Sequence, residues 1–130
     1  MRNQEWHQFF IVCADVLGKG HRDSRLSESW CGWTTFSALE CGVHYWESGL
    51  PSKDEIAETH IVDSGVWGQP FKFDSLAHIV LPASFYWETL GGVDYQNGFK
   101  KQDIATVSSK LVALGIQHRI TDLVLEIKLY

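Results

Sequence analysis

The clearest hydrophobic pattern lies in the last third of the chain. Apolar residues recur there at helical spacing, at Ile104, Val107, Leu111 and Leu114. This spacing predicts a helix with one apolar face over residues 102–114. Asp103 suits the positive N-terminal end of that helix, and Gly115 ends it because glycine adopts the left-handed conformation readily.

A period-two pattern follows this helix directly. Four apolar residues, Leu123, Leu125, Ile127 and Leu129, alternate with Asp122, Val124, Glu126 and Lys128. Side chains alternate between the two faces of a strand, so the pattern predicts a C-terminal strand with one face on the core.

The N-terminal part contains a continuous apolar run, Phe9–Ala14, which stops before Gly18 and Gly20. The run is short and rich in β-branched and aromatic residues. These features favour a strand buried on both faces.

The middle of the chain carries several weaker signals. Trp33, Phe36 and Leu39 recur at helical spacing, which favours a helix over part of residues 30–46, although glycines interrupt it. The segment 52–55 has the serine and glutamate of a capping box, which predicts a short helix or turn. Residues 59–62 favour a strand.

The next segments are mostly of β character. Phe71 and Phe73 alternate with polar residues, as in a half-buried strand. Residues 76–81 are apolar and end at Pro82, so their pattern fits either a helix or a strand. Residues 85–88 favour a strand, and Gly91–Gly92 offers a tight turn into a second strand through Val93 and Tyr95.

These elements predict one domain over residues 1–130 of the α+β class. A chain of 130 residues has the usual size of a single domain. We expect one mixed or antiparallel sheet with helices packed on one face, and a C-terminal helix followed by a C-terminal strand.

Composition and charge narrow the range of partners. The formal net charge is −5, and the eleven basic residues are scattered rather than clustered. Nucleic-acid and anionic membrane surfaces are therefore poor partners. The longest apolar run is far shorter than the roughly 20 residues that a membrane helix needs. Three cysteines without a disulfide pattern indicate reduced thiols, so we expect a cytoplasmic protein.

Six tryptophans are the most unusual feature of the composition. Core packing accounts for some of them, and the others suggest a binding surface, since tryptophan carries both an apolar ring and a polar N–H. Trp67 is the first candidate because it lies in a glycine-flanked loop without a core period. The predicted ligand-binding residues are Trp46, Trp67, Tyr86, Trp87 and Glu88.

A metal site is a weaker possibility. On a helix, Cys41, His44 and Glu47 would share one face, whereas on a strand His44 and Glu47 would point to opposite faces. The second ligand pair of known zinc patterns is missing. We expect neither a metal ion nor a cofactor.

The leading functional hypothesis is a small non-catalytic binding module. Its aromatic-lined cleft would hold a small apolar or cationic molecule, because aromatic rings beside the carboxylates Glu47 and Glu88 suit a cation. A protein-interaction module, either a homo-oligomer or an acidic partner of a basic protein, is one alternative, and we expect a homodimer. A hydrolase or isomerase is the other.

The enzyme hypothesis needs a histidine close to a carboxylate in a cleft. The histidines considered are His44, His60 and His78, and the carboxylates are Glu47, Glu88 and Asp63. Nothing in the sequence pairs them, so no catalytic residue is assigned, and we expect a binding module rather than an enzyme.

Overall fold

The structure of the protein, a computed structural model, describes residues 1–89, 91 and 94–130. Its helices are α1 (Asn3–Leu17), α2 (Phe36–Glu40) and α3 (Ile104–Ala113). Its strands are β1 (Cys31–Thr35), β2 (Trp46–Ser48), β3 (His60–Ile61), β4 (Phe71–Lys72), β5 (Leu76–Pro82), β6 (Ser84–Glu88), β7 (Asn97–Lys101), β8 (Arg119–Ile120) and β9 (Val124–Lys128). Short 3₁₀ turns lie at Lys53–Glu55 and Phe73–Ser75.

The central element is a five-stranded sheet in the order β2-β1-β5-β9-β8. All of its neighbouring strands are antiparallel. Two further strand pairs, β3 with β4 and β6 with β7, form small sheets of their own. The α+β class and the helix-then-strand order at the C-terminus are confirmed.

The helices α1 and α3 pack on one face of this sheet. Trp33, Ile79 and Ile127 lie opposite one another in register on that face, and all three belong to the buried core. The helices contribute Trp6, Phe9, Phe10, Cys13, Leu17, Ile104, Val107 and Leu111 to the same core. The other face of the sheet carries polar side chains, including His78 and Glu126.

The prediction of a strand at Phe9–Ala14 is wrong, because this run lies inside helix α1. A short apolar run does not by itself distinguish a strand from a buried helix. The helical period becomes visible only when residues outside the run, Trp6 and Leu17, are counted with it. Glu5 accepts a hydrogen bond from the backbone amide of Arg2 and so helps to begin the helix.

The predictions for the C-terminal third are largely confirmed. Asp103 caps α3 by accepting a hydrogen bond from the amide of Thr106 at 3.1 Å, and Gly115 has a φ of 71°. In β9 the side chains of Leu125 and Ile127 are buried. Leu123 precedes the strand and is 76% exposed, so its predicted place in the core is wrong.

The weaker signals in the middle of the chain have mixed outcomes. The expected helix within 30–46 is only the five-residue α2, since Trp33 belongs to strand β1. Residues 76–81, which the pattern left undecided, lie in strand β5. Ser52 and Glu55 form the expected cap, with the amide of Ser52 donating to the Glu55 carboxylate at 3.3 Å.

Strands β6 and β7 form an antiparallel hairpin. The predicted turn at Gly91–Gly92 and the start of its second strand at Val93 fall partly outside the described residues. The second strand is described at Asn97–Lys101, further along the chain than Val93 and Tyr95.

No helix in the described part of the chain is both long enough and apolar enough to cross a membrane.

Candidate functional site on the hairpin

The predicted site residues fall into two groups. Trp46 and Trp67 lie beside Trp33 and Phe71 in the core region. Tyr86, Trp87 and Glu88 lie on the hairpin strand β6. Among the described residues, no hydrogen bond or aromatic contact joins the two groups.

Trp67 is part of the core, although its loop gives no periodic signal. Its side chain is only 6% exposed. Its ring stacks on Trp33 with centroids 3.8 Å apart, and its Nε1 donates to the carbonyl of Gly49 at 3.1 Å. Both requirements of a buried tryptophan, ring packing and a partner for the N–H, are therefore met within the protein.

Trp46 is half-buried at the edge of the same cluster. Its ring lies 6.3 Å from that of Trp33 and 5.3 Å from that of Phe71. The ring of His44 meets it edge-on at 4.5 Å. Trp46 therefore closes one side of the core cluster and keeps part of its surface in solvent.

The metal hypothesis requires Cys41, His44 and Glu47 to lie on one helix, and they do not. Helix α2 ends at Glu40, Cys41 follows it, and Glu47 lies in strand β2, so Cys41, His44 and Glu47 share no helical face. Within the described residues, no group of three or more His, Cys, Asp or Glu side chains is placed to hold a metal ion.

The register of the hairpin gives it two different faces. Tyr86 pairs with Phe99, and Glu88 pairs with Asn97, on the face that we call the outer face. Alternation places the side chains of Phe85, Trp87, Gly98 and Lys100 on the opposite, inner face.

The inner face already holds a cation. The ammonium of Lys100 lies 5.9 Å from the ring centroids of both Phe85 and Trp87. Trp87 lies across Gly98, where a Cβ atom would come within 2.9 Å of the Trp87 Nε1 atom. A larger residue at that position would therefore force the Trp87 ring to shift.

The outer face exposes three aromatic rings around one carboxylate. Tyr86, Tyr95 and Phe99 are 45%, 61% and 73% exposed. The Oε2 atom of Glu88 accepts a hydrogen bond from the hydroxyl of Tyr95 at 2.7 Å. The single hydroxyl proton of Tyr86 is shared between this Oε2 atom at 3.0 Å and the Tyr95 oxygen at 2.7 Å. The rings of Tyr86 and Phe99 meet edge-on at 5.6 Å.

The two tyrosine hydroxyls hold this carboxylate in place. A hydrogen bond with Tyr95, some desolvation and the hydrogen bond to the charged Glu88 raise the pKa of Tyr86 above its ordinary value. Tyr86 therefore remains protonated near neutral pH, and its hydroxyl stays a donor to Tyr95 and Glu88. The result is an oriented negative charge between exposed aromatic faces, an arrangement suited to a cation.

Sequence reasoning found Tyr86 and Glu88 but missed Tyr95 and Phe99. The strand Asn97–Lys101 contains only one large apolar residue, so it gives no period-two signal. Tyr86 and Glu88 could be found because residues 85–88 begin with three consecutive aromatic residues, which predict a strand.

A second polar group lies on the open face of the main sheet. The Nε2 of His78 lies 3.3 Å from Glu126, and its Nδ1 lies 2.7 Å from the hydroxyl of Tyr45. Arg119 reaches the other oxygen of Glu126 at 3.3 Å. An ionised carboxylate only accepts, so the Nε2 of His78 donates to Glu126.

The electrostatics of this network favour a charged Glu126. Burial alone would raise the pKa of Glu126, but the hydrogen bonds from His78 and Arg119 outweigh it and hold the pKa below its usual value. Burial, followed by the hydrogen bond with Tyr130, raises the pKa of Tyr45 to about 12. Tyr45 is therefore a neutral hydroxyl rather than an activated phenolate.

This network bears on the enzyme hypothesis. The structure does pair His78 with a carboxylate, but that carboxylate is Glu126 and not one of the three named from the sequence. Both ring nitrogens of His78 and both oxygens of Glu126 have partners. In this arrangement neither group is free to act on a substrate.

Clefts in the described surface include two of similar volume. One, of about 700 Å³, lies between the start of α1, the α3–β8 connection and β9. The other, of about 680 Å³, lies between residues 19–22, residues 52–55 and residues 62–66. Neither cleft is lined by a residue of the hairpin.

Comparison of the chain with protein-family models, with curated proteins and with solved structures found no match.

Proposed function

We propose that this protein is a non-catalytic interaction module that binds a basic protein through the outer face of its hairpin. The observation that carries the proposal is the Glu88 carboxylate, which two tyrosine hydroxyls hold between exposed aromatic rings. A lysine or arginine side chain of the partner would pair with Glu88 and lie against Tyr86, Tyr95 and Phe99.

The charge of the chain supports a basic partner. A net charge of −5 attracts a cationic protein at long range and repels acidic surfaces. Such complementarity mainly accelerates association and selects the partner. The contacts on the hairpin would then provide the short-range part of the recognition.

The shape of the surface favours a protein over a small molecule. Sites for small molecules are usually concave and enclose most of their ligand. The outer face contributes to neither cleft described above. Exposed tyrosine and phenylalanine rings on an open surface are instead typical of protein interfaces. A small cationic ligand is the alternative that the following experiment separates.

The test is a two-dimensional NMR titration of the ¹⁵N-labelled protein with a ten-residue peptide of alternating lysine and glycine. We expect the amide signals of the hairpin strands to shift. Glu88→Gln should weaken binding by roughly fivefold, which corresponds to about 1 kcal/mol for a partly exposed charge contact. The same peptide with acetylated lysines should not bind.

The matched control is Glu58→Gln, which removes the same charge from an exposed position outside the hairpin. If both substitutions weaken binding equally, the peptide senses only the net charge and the proposed site is wrong. Tetramethylammonium is the small-molecule probe. If it produces the same hairpin shifts at lower concentration than the peptide, the small-ligand alternative replaces the protein partner.

The oligomeric state and the location are further parts of the proposal. We expect a homodimer in the cytoplasm, where the three free cysteines would remain reduced. Light scattering of the purified protein tests the dimer. A monomer at all concentrations up to the millimolar range would contradict it and would leave the hairpin free for a different partner.

A further inference from the structure

The ammonium of Lys100 has a hydrogen-bond acceptor for each of its three N–H groups. It donates to the backbone carbonyls of Arg25 at 2.5 Å, Ser27 at 2.9 Å and Ser24 at 3.4 Å. An ammonium has three N–H donors, so the three carbonyls match its full capacity. The rings of Phe85 and Trp87 lie beside the same nitrogen.

We propose that residues 24–27 and the inner face of the hairpin form an internal cation site, which Lys100 fills in order to hold the hairpin against the rest of the protein. Its ligand class is a primary alkylammonium. By holding the inner face, Lys100 would also orient the outer face that carries the proposed binding site. That last step rests on the proposed function, whereas the cation site does not.

The carbonyl side of this site is held by its own hydrogen bonds. The amides of Leu26 and Ser27 donate to the carbonyl of Asp23 at 3.0 and 3.1 Å. The hydroxyl of Ser27 donates to the carbonyl of Ser29 at 2.6 Å and accepts from the amide of His21 at 2.8 Å. None of these bonds involves Lys100, so we expect the three carbonyls to stay in place without it.

The hairpin has few other attachments at its middle. Its two strands pair with each other and with no other strand of the described residues. Phe85 stacks on Trp30 at 5.7 Å, and the amide of Glu88 donates to the hydroxyl of Ser24 at 3.4 Å. Gln102 ties the base of the hairpin through the carbonyls of Trp30 and Pro82.

A planar guanidinium is a poor substitute in this site. Its donors point outward in a rigid fork, whereas the three carbonyls converge on a single nitrogen. Lys100→Arg should therefore hold the hairpin less well than lysine although the charge is kept. If only a positive charge were needed, Lys100→Arg would hold the hairpin as well as the wild type does.

The test compares amide hydrogen exchange in the hairpin and in helix α3. Lys100→Ala should accelerate exchange of the amides of β6 and β7 by tenfold or more, and that of the buried α3 amides by less than threefold. Lys100→Met tests the same loss of charge in a side chain of similar length. Lys101→Ala, on the outer face, is the control and should leave hairpin exchange within twofold of the wild type.

Chemical rescue makes the test specific to the cation site. Propylammonium replaces the atoms that Lys100→Ala removes beyond Cβ, so 50 mM propylammonium chloride should restore at least half of the lost protection. Propanol, the neutral analogue, should not. Unchanged hairpin exchange in Lys100→Ala, or equal rescue by propanol, would overturn the proposal.

Hydrogen exchange and peptide binding together distinguish a failure of the cation site from a failure of the proposed function. If Lys100→Ala exposes the hairpin to exchange and the wild type does not bind the lysine–glycine peptide, the cation site stands and the proposed partner is wrong. If the peptide binds the wild type and Lys100→Ala weakens it at least threefold, with propylammonium restoring binding, Lys100 is a positioning residue for the outer face.

Discussion

The aromatic residues of this protein lie in two regions with opposite surroundings. In the core, Trp33 and Trp67 stack on each other, and Phe71 meets both rings edge-on. Trp67 also donates its N–H to a backbone carbonyl. On the outer face of the hairpin, the rings of Tyr86 and Phe99 meet edge-on, and the two residues are 45% and 73% exposed.

The difference shows that tryptophan content does not locate the exposed aromatic surface of this chain. Of the six tryptophans, three are buried and three are half-buried, and none is largely exposed. The widely exposed rings belong to tyrosine and phenylalanine. A buried aromatic ring stabilises the fold, whereas an exposed ring beside a held carboxylate remains available to a partner.

The largest expected effect tests the core side of this comparison. Trp67→Ala should lower the free energy of unfolding by about 3–5 kcal/mol, because it removes a large buried ring and leaves a cavity. Trp67→Phe keeps a ring but loses the bond to Gly49, and it should cost about 1–2 kcal/mol. Urea denaturation followed by circular dichroism measures both.

A small effect of Trp67→Ala would contradict this assignment. A loss below about 1 kcal/mol would mean that Trp67 is not a core residue. Trp67 would then return to the candidates for ligand binding, as its loop position first suggested.

The sequence predicts best where local pattern and tertiary packing agree. Helix α3 combines a clear apolar period with Asp103 at one end and Gly115 at the other, and all three features are present in the structure. For helix α1 the pattern predicts a strand instead, because the apolar run is continuous and gives no period of its own. Packing against α3 and the sheet makes this segment a helix, and the local pattern alone does not show it.

The candidate site was predictable only in part. Tyr86 and Glu88 are two apart on one strand, so their common face follows from alternation. Tyr95 and Phe99 join them only through the register of the hairpin, and a single sequence does not specify that register. The pairing of His78 with Glu126, which are 48 residues apart, depends on strand order in the same way.

The second-largest expected effect on stability comes from the polar network around Glu126 on the open face of the main sheet. The pKa of Glu126 is lower in the folded protein than its ordinary value of 4.5. Its stabilising contribution is therefore fully present above about pH 4.5 and is lost as the pH falls through the lower, folded-state pKa. Acid should weaken this network.

Glu126→Gln should test this pH dependence. At pH 7 the substitution should lower the free energy of unfolding by about 1–2 kcal/mol, since it replaces a charged acceptor of His78 and Arg119. The difference from the wild type should shrink between pH 5 and 3. Urea denaturation across that range measures it, with Glu58→Gln as control. A difference that does not change with pH would exclude a role for the carboxylate charge.

The smallest expected effect on stability belongs to the outer face. Phe99→Ala should change the free energy of unfolding by less than about 0.5 kcal/mol, because the ring is 73% exposed. It should still weaken binding of the lysine–glycine peptide by roughly twofold to fivefold, the size of one exposed contact between a cation and an aromatic ring. Leu123→Ala, which shortens an equally exposed apolar side chain elsewhere, should change neither quantity. If Phe99→Ala destabilises the protein as strongly as a core substitution, the hairpin rings serve the fold as Trp67 does, and the contrast between the two aromatic regions disappears.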